Sequence, residues 1–397
     1  MNIDRVIFTS AESLTARGYR IAGATEGVTA DERSYISRRS PSHESLCDKS
    51  ESAVGFSGYP LASGRYCVTR SCCAGREQSG RGGNRILTHI FVLSPGQLAA
   101  FGWNPFGVLR ALQSAKAFDI GAKTPTMLEP ASVEPATGGE RDRVVGSFGV
   151  LREAGFVYLL TRALQKTCVI VGDTDEPAAA IEGLLLTMPV PLRMGCDFSI
   201  GLKFAIARRY RINWLGRECQ MARHHIRGQH IELVERLPEA EFPSFDPPAW
   251  ARMVVDCRRA SRLQQLLELT AMDFDDTSDA VLGYAADRQV AMNHLHERSI
   301  EELLDGLGPA DYEPEFNIER HVDRLYRADA TRRLGELLKA APHEVVHTHW
   351  PRLAELAEVD PQVEALCGSL LAGMERAEPT ATPCPDRGVT IVDRPVR

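Results

Sequence analysis

No two of the ten cysteines in this sequence stand in a C-x-x-C spacing, which removes the usual signatures of a zinc ribbon and of a dithiol redox motif. Their scatter suggests no disulfide framework, and Cys67, Cys72 and Cys73 read as reduced thiols. Lysine is rare, and the net charge of -7 lacks the positive excess of a dedicated nucleic-acid binder. Long apolar runs are also missing. "FVYLLTRALQKTCVIVG" is interrupted by Arg162 and Lys166, short of the ~18 apolar residues of a membrane span. "MNIDRVIFTSAES" has no basic region followed by an apolar stretch, so no secretory signal is read. The expectation is a cytoplasmic protein with no membrane or nucleic-acid partner. No fixed internal period is present, which argues against a solenoid.

What is there suits a globular chain. Its 397 residues, 44% hydrophobic and 25% charged, suffice for two or three domains with a sizeable core. The first part reads as mixed strand and helix. "RVIFTS" and "GYRIAGATEG" are short apolar runs ended by polar residues and glycine, as strands are. Thr29 and Glu32 stand in capping-box spacing, which predicts a helix from about Ala30. Residues 39–64, rich in Ser, Gly and Pro, read as a long loop. "RYCVTRSC" and "RILTHIFVL" read as strands joined by a glycine-rich connection. Ser94-Pro95-Gly96-Gln97 starts a helix by the same capping logic, and Asn104-Pro105 restarts it. "GVLREAGFVYLLTRALQ" is a further helix. "TCVIVGD" is a strand leading through Asp175, a candidate cap, into "AAAIEGLLLTMP", and one or two strands close the region within "CDFSIGLKFAIARRYRINWLG".

The pattern then changes. Residues 237–249 hold four prolines and little periodicity, which predicts a linker between a module at 1–236 and a helical domain at 250–378. In the latter, apolar residues recur at three and four, as in "SIEELLDGLG" and "IERHVDRLYRADATRRLGELLKAA". The tail, 379–397, is Pro-rich and reads as disordered. The fold class expected is an α+β N-terminal module followed by an α-helical C-terminal domain.

Candidate chemistry lies in three places. Between the two strands, residues 70–85 hold four glycines and the four arginines Arg70, Arg76, Arg81 and Arg85. A phosphate loop needs a strand-to-helix turn closed by Gly-Lys and Ser or Thr, so neither it nor a dinucleotide fingerprint fits a strand-to-strand connection. What remains is an arginine-rich hairpin loop suited to an anion or an acidic partner, or a solvated basic loop. His89 shares strand parity with Leu87, Phe91 and Leu93 in a strand apolar on both faces, which predicts a central strand. Such a histidine needs a hydrogen-bond partner or a function; Arg70 and Ser199 are candidates. Asn84 is expected to bond loop backbone at the junction.

The third place is His343-Glu344-Val345-Val346-His347, a match to H-E-x-x-H, in which His343 and His347 would bind zinc and Glu344 activate water. Pro342 and Pro351 are expected to confine this segment to a short helix, and no convincing third ligand follows. No metal and no cofactor are therefore expected. No G-x-S-x-G nucleophile elbow is present.

Taken in order, "VIFTS", "GYRIAGATEGVT", "PLASGRYCVTRSC", "GRGGNRILTHIFVLSP" and "LLLTMPVPLRMGCDFSIGL" resemble the N-terminal module, type 2, of the bacterial GTPase-associated protein 1 family, over about residues 1–225. The resemblance implies a non-enzymatic adaptor or sensor working beside a separately encoded GTPase in a defence or conflict system. Its R-x-G-N pattern followed by His falls on Arg81, Gly83, Asn84 and His89. No catalytic role comes with these positions. The other readings are a zinc-dependent hydrolase at His343, Glu344 and His347, and an anion- or nucleotide-binding regulatory module around the arginine hairpin.

Overall fold

The computed structural model describes all residues except 13–16, 78–82, 120–124, 137, 173–175, 224–225, 227–228, 238–245, 309–313 and 378–397. The alternating N-terminal segment forms β1 (Asn2–Glu12), which pairs antiparallel with β2 (Arg17–Ala24). Then comes α1 (Ala30–Arg39), opened by the expected capping box: Thr29 accepts from the Glu32 backbone and Glu32 accepts from the Thr29 backbone.

The expected loop at 39–64 contains a strand instead, β3 (Val54–Pro60). Its glycines hid it. A Cβ on Gly55 would lie 2.5 Å from Leu202 Cδ2, and one on Gly58 2.5 Å from Phe198 Cε1. Both are places where neighbouring side chains approach the strand closely, so glycine here serves packing rather than turning. Next come β4 (Tyr66–Arg76), β5 (Asn84–Leu93), α2 (Pro95–Ala99), α3 (Pro105–Ser114) and the short β6 (Ala131–Ser132).

The helix expected from Gly149 begins earlier, as α4 (Glu140–Leu164), because Gly146 and Gly149 weaken the helical pattern of its first half. It is broken at Arg152, whose φ of 55° and ψ of 169° are not helical. By length and composition this helix is apolar enough to cross a bilayer, but Val144, Phe148, Leu151, Phe156, Leu159 and Leu160 lie in the main core. Beyond it are β7 (Cys168–Val171), α5 (Pro177–Leu186), α6 (Val190–Gly195), β8 (Phe198–Ile200), β9 (Ile212–Trp214), α7 (Cys219–Ala222) and β10 (Ile231–Val234). Asp175, the expected cap of α5, lies outside the described residues.

The strands make one mixed sheet in the order β10-β7-β9-β8-β3-β4-β5-β1-β2, with β6 paired to β1. The half from β8 to β2 is antiparallel, and β10, β7, β9 and β8 run parallel to one another. β5 is central and covered on both faces, as its apolar parity predicts. One face packs Ile90 and Val92 with Val28 and with Ile36 of α1; the other packs Phe91 and Leu93 with the helices that follow.

A buried cation pins several of those helices. Arg193 of α6 donates to the carbonyls of Gly102, Leu186 and Met188 at 2.9, 3.0 and 2.9 Å. Burial lowers its pKa to about 10. The Leu186 carbonyl ends α5, where helix carbonyls lack internal partners and a cation is favoured.

The expected boundary at 237–249 is not where the compact units divide. α8 (Ala249–Arg259), α9 (Leu263–Thr270) and α10 (Asp279–Asn293) belong with the sheet. Trp250, Met253, Val254 and Cys257 share a core with Phe156, Val169 and Ile212, and Trp250 Nε1 donates to Thr187 O at 3.0 Å. The first unit is Met1–Asn293 with Pro314–Val322; the second is His294–Glu313 with Asp323–Arg397. An α+β body followed by helices therefore stands, with the division later than the prolines suggest.

The second unit contains α11 (Ile300–Leu307), α12 (Asn317–Ala340) from Asp323 onward, α13 (His343–Ala357) and α14 (Pro361–Ala377). Arg327 ties it together. It donates to Asp323 at 2.9 Å, Leu307 O at 3.0 Å and Asp360 at 3.3 Å.

Candidate functional site

The β4–β5 hairpin sets Arg70 opposite His89 and Arg76 opposite Asn84, with a register shift between Cys73 and Arg76. On the other side of β5, β1 sets Ile7 opposite His89 and Arg5 opposite Phe91. Residues directly opposite in a ladder share a face, and side chains two apart on one strand do too. Arg5, Arg70 and His89 therefore lie on the same face of three adjacent strands.

Towards its tip the hairpin is held by polar contacts. Asn84 Nδ2 donates to Lys49 O at 3.1 Å. Arg85 donates twice to Ala74 O, at 3.1 and 2.9 Å, and Glu77 N donates to Gly83 O at 3.0 Å. Gly83 has φ +78°, and a Cβ there would stand 2.8 Å from Glu44 Oε1. A side chain is excluded twice over, by backbone and by space. Arg76 is exposed, and Arg81 lies outside the described residues.

His89 is 1% exposed, and among the described residues its Nε2 has no hydrogen-bond partner. Its ring meets the edge of Phe118, as does that of Phe91, each with centroids 5.5 Å apart. The Arg70 guanidinium carbon sits 5.0 Å from the Phe118 centroid. Burial, then the charges of Arg70 and Arg5, push the imidazole pKa down to about 4. The expected bridge from His89 to Arg70 or Ser199 is absent. Ser199 pairs with Ser57, which bonds Thr69 on the opposite face, and its hydroxyl lies 3.4 Å from Asn213 Oδ1.

Sequence reasoning missed Arg5 and Phe118. A signal for Arg5 existed: it shares parity in β1 with Ile3 and Ile7, so a charge interrupts an otherwise apolar row. Phe118 lies beyond α3, in no repeating pattern. Burial pushes the thiols of Cys67 and Cys72 above their ordinary range.

The H-E-x-x-H segment opens α13, which runs on through Pro351 to Ala357. The expected short, proline-bounded helix is thus corrected. Pro351 is exposed, while Leu353 and Leu356 beyond it bury the helix and outweigh one lost backbone bond. His343, Glu344 and His347 are all exposed. Among the described residues no group of three His, Cys, Asp or Glu side chains is placed to hold a metal ion.

The arginine-bearing antiparallel hairpin is thus set into the mixed sheet of an α+β body. Residues 2–131 match the family described as GTPase-associated protein 1, N-terminal domain type 2, the family its motifs resemble. The match spans β1 to the first residue of β6, including the hairpin and both arginines that flank His89. No curated protein matches the chain.

Proposed function

We propose that this chain is a non-enzymatic adaptor or sensor that acts with a separately encoded GTPase in a bacterial defence or conflict system. The observation that carries this reading is the match of residues 2–131 to a family named for its association with a GTPase. The hairpin supports it. Arg76 is exposed, and the arms of the hairpin are held through Asn84 and Arg85. In this reading the tip is the recognition edge, the helical second unit serves further protein contacts, and the protein works in the cytoplasm without membrane or nucleic acid.

The test is co-purification with the GTPase encoded beside this gene, using wild type and Arg76→Ala/Arg81→Ala. Binding that the double variant weakens, with a flatter dependence on salt, is the expected result. The stability of the double variant should be unchanged, since exposed charges contribute little. Equal binding by both proteins at low salt would remove the hairpin from the interface. Lack of binding to any neighbouring GTPase would overturn the adaptor reading.

A further inference from the structure

We propose that Arg5, Arg70 and His89 form a binding site for a phosphate group on the face of the sheet that carries Phe118. This site is separate from the hairpin tip and does not depend on the adaptor reading.

Three polar side chains lie there with no carboxylate bound to any of them among the described residues. His89 Nε2 is buried and unbonded. Among the described residues Arg70 has no ion pair; its guanidinium meets the Phe118 ring and the Cys72 thiol, a weak acceptor. Arg5 donates through Nε to Glu129 O at 2.7 Å, and among the described residues its terminal nitrogens make no hydrogen bond. Buried polar atoms without partners are rare in native proteins because each costs stability, so an orphan of this kind marks a place where a partner binds.

The charge balance points the same way. The carboxylates of Asp4 and Glu77 are engaged on other residues. Asp4, of opposite parity to Arg5, accepts from Thr25 and pairs with Arg65. Glu77 accepts from Ser10. The groups facing His89 are Arg5 from β1, Arg70 from β4 and the Phe118 ring, with the Cys72 thiol two residues from Arg70 on the same face. Two guanidinium groups thus bracket a neutral imidazole, and among the described residues neither is ion-paired.

Geometry selects the ligand. The three groups come from neighbouring strands spaced about 4.8 Å apart, on one face of the sheet. A tetrahedral group with several acceptor oxygens can answer all three, whereas a planar carboxylate suits a single guanidinium fork. The phosphate is either free or carried on a nucleotide. Once bound, its negative charge favours imidazolium, so it raises the depressed pKa of His89.

The experiment follows the imidazole NMR signals of the full chain in phosphate-free buffer, titrated separately with inorganic phosphate and with GMP. The expected result is a saturable shift of the His89 signals and a rise in the His89 pKa of about one unit or more. Arg70→Ala should weaken binding about tenfold or more, and Arg76→Ala should leave it unchanged. Arg70 is only half-buried, and a thermal melt checks that its variant folds; Arg5→Gln supplies an independent variant with the same expected loss. Tighter binding of GMP than of phosphate assigns the site to a nucleotide, and equal or weaker binding assigns it to free phosphate. Signals that stay fixed with both probes, or that shift equally in Arg70→Ala and Arg5→Gln, would overturn the proposal.

Discussion

The side-chain amide of Asn104 donates to the buried carboxylate of Glu182 at 2.6 Å, while its oxygen caps α3 by accepting from Phe106 N at 3.0 Å. Glu182 also takes both terminal nitrogens of Arg110, at 2.9 and 2.7 Å, and lies 3.4 Å from Arg143 Nε. One carboxylate therefore ties α3, α4 and α5. Glu182→Ala should cost about 3 kcal/mol in urea unfolding, because it strands buried donors. Arg110→Ala should cost about 1 kcal/mol or less, since Arg110 is half-exposed and Glu182 keeps its other partners. Equal costs would show that the carboxylate is not the hub.

Stability should depend on pH through His89. The unfolded chain takes up this proton near pH 6.5, and the folded chain takes it up only near pH 4. The unfolded state thus binds more protons between those values, so stability is complete above 6.5 and falls as the pH drops towards 4. The loss attributable to His89 should approach about 3 kcal/mol. His89→Leu removes the orphaned nitrogen along with the titration. Denaturant melts in phosphate-free buffer should show a shallower acid slope in the variant, and matching slopes would refute this.

Arg152 should prefer to be glycine. Its φ of 55° with ψ of 169° is a conformation that a Cβ disfavours. In a regular helix Ala is better than Gly by about 1 kcal/mol. At this position the order should reverse, with Arg152→Gly melting higher than Arg152→Ala. The Ala variant controls for loss of the side chain. The usual order, with Ala the more stable, would mean that the break carries no strain.

Trp250 should behave as a core residue of the sheet-bearing unit. Trp250→Ala should cost about 3–5 kcal/mol through lost packing. A fragment ending at Val322 should melt cooperatively, and one ending at Arg236 should not, because it lacks the helix that covers Phe156 and Ile212. A cooperative melt of the shorter fragment would restore a boundary at the prolines.

Local chemistry was readable before the structure. The capping boxes at Thr29 and Ser94, the proline start after Asn104 and the two-faced apolar strand around His89 each depend on neighbours within a few residues. What escaped depends on residues distant in sequence. β3 looks like a loop until Leu202 and Phe198 are seen to press on Gly55 and Gly58. α8 looks detached until Trp250 meets Thr187. The candidate site divides in the same way. Arg70 and His89 stood out through residue type in a strand, but Arg5 joins them only through the pairing of β1 with β5, and Phe118 only through the path of the chain after α3.

The sheet does not stop where the family match stops. β3, inside residues 2–131, hydrogen-bonds to β8 with Phe56 opposite Ile200 and Gly58 opposite Phe198. A cut at residue 131 would bare a row of backbone donors and acceptors along β3, a template for pairing with any strand that arrives. The matched segment is thus an open half-sheet that borrows its closing strand from later in the chain. Transplanted alone into another protein, it would have to find that strand in its new host or in a copy of itself.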